Sequence, residues 1–181
     1  MNRLGTSTLT VLTLLVPTLL PVPTLAQAPA DGANFGVGDR ALISSHDRIE
    51  IQEKLLYAYA YTYDSKDCVS WSNLFATDAV LERGAAEKLI GRDAILQFCI
   101  ARQKSGVGNI KTRHNMMNIV FDQLTARRAE TRTYVLLTWQ KPGEQFPAVQ
   151  FAATYRDVIV KSDDGRWLFK ERKTIDMSLA P

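Results

Sequence analysis

From Ser44 onward the apolar positions fall into two rhythms, one helical and one extended. Ile49, Leu56, Tyr59, Ala60 and Tyr63 recur at three, four and seven residues behind Ser44-Ser45-His46-Asp47, whose side chains can accept backbone N–H bonds at a helix start. This spacing predicts an amphipathic helix of about five turns. A second, shorter helix is expected from Asp67 through Phe75, with Val69, Trp71, Leu74 and Phe75 as its apolar positions, and Ala79 to Glu82 reads as a short strand. A third helix opens after Gly91, carries Ile95, Leu96, Phe98, Cys99 and Ile100, and ends near Ser105-Gly106. Beyond Gly108 the chain changes to long runs rich in β-branched and aromatic residues. Strands are expected at 112–124, 131–140, 148–161 and 166–177, with Asp163-Asp164-Gly165 as a hairpin signal and 125–128 as an earlier turn. Helices first and strands afterwards predict an α+β domain, its three helices packed on one face of a curved antiparallel sheet that encloses an apolar cone. On the third long strand Phe151, Ala153, Tyr155 and Asp157 share one face while Thr154 and Arg156 share the other, and alternation alone does not say which faces inward.

The N-terminal residues follow neither rhythm. Arg3 precedes an apolar run from Leu9 to Leu20 and small residues around Thr24-Leu25-Ala26, which reads as a secretory signal peptide over residues 1–26. Pro17, Pro21 and Pro23 interrupt the run, whereas an uncleaved anchor needs about 20 unbroken apolar residues. A secreted or periplasmic protein, free of the membrane after cleavage, is expected. Residues 27–42 are Gly/Pro/Ala-rich and read as a flexible linker, leaving one domain over 43–179.

Charge and cysteine content narrow the partners. The net charge is +3, with 22 basic residues spread among 19 acids, so nucleic acid is not an expected partner. Cys68 and Cys99 could bridge in an oxidising compartment or stay as two buried thiols. Two histidines and no close Cys or His pairs give no support for a metal site. The Gly36–Gly38 and Gly106–Gly108 spots lack the strand-then-helix context of a nucleotide site and read as flexible connections, so no cofactor is expected.

Candidate chemistry gathers at Tyr63-Asp64-Ser65-Lys66-Asp67, which closes the first helix, and at His114 fifty residues later. A carboxylate, phenols and an imidazole cover proton transfer on either side of neutrality. Around a regular helix Tyr63 lies about 100° and Tyr59 about 140° from Asp64, so the three meet only in a wide pocket or where the helix ends. Tyr57, Tyr59, Tyr61 and Tyr63 alternate around the helix and cannot all serve one site. Asp64 could instead cap the second helix, His114 could be a satisfied core or surface histidine, and Asp67 is the better N-cap. Met116 and Asn118 share the His114 strand face by a period of two and are candidates for lining the pocket, as is Trp71.

In order along the chain, Tyr63-Asp64-Ser65-Lys66-Asp67, Trp71, Gly91-Arg92-Asp93-Ala94, His114, Tyr155-Arg156-Asp157 and Asp164-Gly165-Arg166-Trp167 resemble the SnoaL-like branch of the NTF2-like superfamily. The Tyr-Asp-Ser-Lys-Asp box is similar to that of scytalone dehydratases and of bile-acid dehydratases, in a superfamily that also holds ketosteroid isomerases. The resemblance implies an NTF2-like cone, a homodimer formed through the exposed sheet face, Asp64 as pocket carboxylate, Tyr63 as a phenol beside it and His114 as general base or acid. Tyr59, five residues before Asp64, matches a pocket tyrosine of the bile-acid enzymes. Two departures stand out: Trp139 occupies the place of a second catalytic histidine, and Arg83 that of a strand tyrosine. The expected function is a cofactor-independent dehydratase or isomerase for a small hydrophobic hydroxy-carbonyl compound. The alternative is a non-catalytic module that uses the same cone to bind a ligand or dimerise.

Overall fold

The computed structural model describes residues 45–84 and 87–176. The signal peptide and linker expected over 1–42 lie outside the described residues, as do the ends of the domain expected over 43–179. The first helix is continuous but not uniform: α1 (Ser45–Ile51) passes through a π-helical stretch (Gln52–Tyr57) into α2 (Ala58–Asp64). A π turn takes up extra residues, so the inward stripe reads Ile51, Leu55, Leu56, Tyr59 and Ala60. Ile49, expected inside, is instead half exposed.

The helix stops at a Schellman motif, in which the Asp67 N–H donates to the Thr62 carbonyl and the Lys66 N–H to that of Tyr63. The left-handed position is filled by Lys66 (φ 70°), where glycine is usual. Asp67 then caps α3 (Cys68–Ser72), its Oδ1 accepting the Ser70 N–H at 2.9 Å. This helix is shorter than its apolar spacing suggests. Val69 is exposed, and Phe75 begins β1 (Phe75–Arg83), a strand more than twice as long as the one expected at 79–82. β2 (Lys88–Ile90), which has no sequence signal, pairs with it.

α4 (Arg92–Lys104) starts after Gly91 and ends at Ser105 as expected. The Gly106–Asn109 segment is not a flexible connection: it is a 3₁₀ turn packed so closely on α4 that a Cβ on Gly108 would lie 2.0 Å from the Gln103 carbonyl oxygen. β3 (Lys111–Leu124), β4 (Arg128–Gln140), β5 (Ala148–Lys161) and β6 (Trp167–Asp176) complete a six-stranded sheet in the order β2-β1-β6-β5-β4-β3. The sheet is not wholly antiparallel, because β1 runs parallel to β6.

Helices cover one face of this sheet. Ile51, Leu55, Leu56, Trp71, Phe75, Leu81, Ile95, Val135, Ile159 and Phe169 are essentially inaccessible to solvent and form one core, in which each large apolar side chain contributes about 1.5–3 kcal/mol. On β5 the inward set is Ala153, Tyr155, Asp157 and Ile159. Cys68 and Cys99 form a disulfide with a Cα–Cα distance of 5.6 Å, tying α3 to α4.

Candidate active site

Where the first helix ends it meets β3, and the contact is made by Asp64. Its Oδ1 accepts from the Thr112 hydroxyl at 2.7 Å and lies 2.8 Å from His114 Nδ1, while Oδ2 accepts the His114 backbone N–H at 2.8 Å. Thr112 and His114 stand two apart on one strand face, so a single carboxylate spans both. Asp64 therefore does not cap α3. Burial pulls the Asp64 carboxyl upward, but the His114 and Thr112 hydrogen bonds outweigh it and hold the group below its ordinary value. An ionised carboxylate only accepts hydrogen bonds, so His114 Nδ1 carries a proton towards it, and Nε2 is the nitrogen that can exchange one. The two side chains are 6 % and 9 % exposed for His114 and Asp64.

The His114 ring lines a cavity of about 220 Å³. Asp64 does not line it; the carboxylate stands behind the imidazole and orients it. Tyr63 and Tyr59 meet the His114 ring edge-on, at 5.3 and 6.1 Å between centroids, and both line the cavity. The three helix residues need not share one face, because His114 comes from across the gap, its Nδ1 against Asp64 and its ring roughly perpendicular to both phenol rings. Tyr57 and Tyr61 point outward and are exposed. Burial pushes the Tyr59 phenol up against the pull of Arg172, and burial with Tyr59 beside it pushes Tyr155 up further. Both stay protonated at neutral pH, so each can donate a hydrogen bond to a substrate oxygen but is not a base.

The expected pocket lining is only partly right. Trp139, opposite Thr112 on β4, lines the cavity together with Leu137, Phe151 and Tyr155. Trp71 does not reach it: at 1 % exposure it packs behind Tyr59 and Tyr63, at 5.5 and 5.0 Å. Met116 lies on an outer groove with Asp64 and Met117 rather than in the cavity. Asn118 is exposed and left-handed (φ 51°), at an irregularity between Met117 and Val120 that breaks the period of two.

Arg83 was expected only as a replacement for a strand tyrosine, and neither Lys66 nor Arg102 had an expected role. Lys66, Arg83 and Arg102 all line the cavity, and no acidic residue does. Arg83 donates to Glu87 at 2.7 Å and lies over the Phe98 ring at 4.4 Å. The signal for Arg102 was its place on α4, seven residues after Ile95 and three after Cys99, which puts a charge on the buried stripe. Beneath the site Arg172 forms a two-pronged pair with Asp157, both bonds 2.8 Å, and stacks against Tyr59, Tyr155 and Phe169 at 4.0–4.4 Å. Among the described residues no three His, Cys, Asp or Glu side chains converge to hold a metal ion.

The SnoaL-like domain profile matches residues 44–173 of the chain. A candidate scytalone dehydratase from Novosphingobium aromaticivorans is similar at 25 % identity, covering 71 % of this chain and 83 % of its own, with a TM-score of 0.60. ActVI-ORFA from Streptomyces coelicolor shares the fold at 16 % identity, 76 % and 100 % coverage and a TM-score of 0.67. An NTF2-like protein with a cystatin-like fold, also from Novosphingobium aromaticivorans, does so at 18 % identity, 75 % and 84 % coverage and a TM-score of 0.65. No curated protein matches the chain.

Proposed function

The chain belongs to the SnoaL-like domain family, and from that premise we propose that it is a cofactor-independent dehydratase or isomerase for a small hydrophobic hydroxy-carbonyl compound. The family includes dehydratases and isomerases. The observation that carries the reading is the 2.8 Å contact between His114 Nδ1 and Asp64, made by a residue that lines the cavity. Nε2 takes a proton from the carbon next to the substrate carbonyl. The C–H electron pair becomes the enolate double bond, and the carbonyl electrons move onto oxygen, where Tyr59 or Tyr63 donates a hydrogen bond. In dehydration the enolate re-forms the carbonyl and expels a β-hydroxyl, which leaves as water with the proton from the imidazolium. In isomerisation the same proton returns to a different carbon.

The test needs no natural substrate. Deuterium exchange at the α-carbon of 2-tetralone in D₂O, followed by proton NMR, reads the first step alone. The wild type should accelerate it over buffer, and His114→Ala should lose about a hundred-fold or more of that acceleration. Equal rates for the two proteins would sink the enzyme reading and leave the rival, a cone that only binds.

Export and dimerisation belong to the same proposal. The Cys68–Cys99 bridge supports an oxidising compartment. Tyr61, Met117 and Tyr134, all exposed, with Met117 and Tyr134 paired across β3 and β4, support a homodimer, which light scattering tests.

A further inference from the structure

We infer that Lys66 and Arg102 form a subsite for a carboxylate, so that the compound taken by the cavity is a compact ring-bearing acid. This rests on the reading of the His114 cavity as the substrate site and adds the class of molecule.

Three observations support it. First, the donors lack a direct anionic partner: Arg102 has no acidic partner among the described residues, its Nε is buried without a hydrogen bond, and Lys66 Nζ donates to the Ile110 carbonyl at 2.8 Å. Burial lowers the Lys66 ammonium, Asp64 opposes this, and the like charge of Arg102 adds to the lowering. The indole N–H of Trp139, on the same wall, is likewise buried and unpartnered. A carboxylate seated between Lys66, Arg102 and Trp139 would give these donors an acceptor.

Second, the chain incurs strain to place Lys66. Its φ of 70° is a conformation glycine adopts freely and other residues reach only with steric strain. Third, the disulfide holds the like charges together, since Cys68 stands two residues after Lys66 and Cys99 three before Arg102. Beside these donors the walls are Leu137, Trp139 and Phe151, flat and apolar, and about 220 Å³ admits a small ring system rather than a large conjugate.

Calorimetric titration of the disulfide-bonded protein with 2-naphthoate and its neutral amide, 2-naphthamide, tests this. The wild type should bind the acid about ten-fold or more tightly than the amide, with the advantage shrinking as KCl is raised. Arg102→Met and Lys66→Gly should bring the two affinities within about two-fold of each other. Lys66→Gly relieves the strained position, so misfolding does not explain its result. No binding of either probe, equal affinities in the wild type, or a preference that survives in both variants overturns the inference. A preference for the acid without α-exchange on 2-tetralone would instead overturn the catalytic reading and keep the subsite; exchange without the preference would do the reverse.

Discussion

Two carboxylates, Asp157 buried and Asp64 half-buried, are each held by a cation-forming side chain and a threonine hydroxyl. Asp157 takes both prongs of Arg172 and accepts from Thr131, with both charged side chains at 0 % exposure. Asp64 takes the His114 ring and Thr112, at the edge of a cavity. The components match, yet one arrangement is closed and permanently charged, while the other pairs its carboxylate with an imidazole that lines the cavity. An arginine never gives up its proton at physiological pH, so the Asp157 pair can only hold Tyr59, Tyr155 and Phe169 in place. Imidazole can, so the same arrangement with histidine can move a proton.

The strongest way to break this contrast is to remove one cation from the closed pair. Arg172→Met leaves the Asp157 carboxylate buried without its partner, a loss of about 3–5 kcal/mol, read as a fall in Tm of about 10 °C or more. The double variant Arg172→Met/Asp157→Leu should recover most of it. A single variant that melts within a few degrees of the wild type would mean that the pair is not a structural support.

A smaller effect is expected at the open pair. Asp64→Asn keeps an acceptor for Nδ1 and Thr112 but removes the charge, costing about 1–2 kcal/mol and a few degrees in Tm, while α-exchange falls with it. If Asp64→Asn destabilised as much as Arg172→Met, the two carboxylates would play the same part and the contrast would fail.

Most of the fold could be read from periodicity, and the exceptions have physical causes. The strand over 148–161 runs where alternation put it, and Asp67 caps α3 as its side chain suggested. Asn118 missed because an irregularity in β3 interrupts alternation, and Ile49 because the π-helical stretch shifts the inward stripe. The site divided similarly. Asp64, His114 and the two tyrosines carry chemistry in their residue types, whereas Lys66 and Arg102 look like ordinary surface cations until a left-handed turn and a disulfide bring them to one wall.

The finest distinction concerns pH, and its sign follows from the lowered Asp64 carboxyl. The folded protein binds that proton less readily than the unfolded chain, where the group titrates near pH 4. The stabilisation it gives is therefore complete above about pH 4 and is lost as pH falls through the lower, folded value. The side-chain amide of the Asp64→Asn variant does not titrate, so the difference in urea midpoint between wild type and variant should be full at pH 5 and should close towards pH 3. A gap of the same size at both pH values, or one that widens on acidification, would show that the His114 and Thr112 bonds do not favour the carboxylate. The open pair would then lack the ionised orienter on which its reading as a proton-transfer site depends.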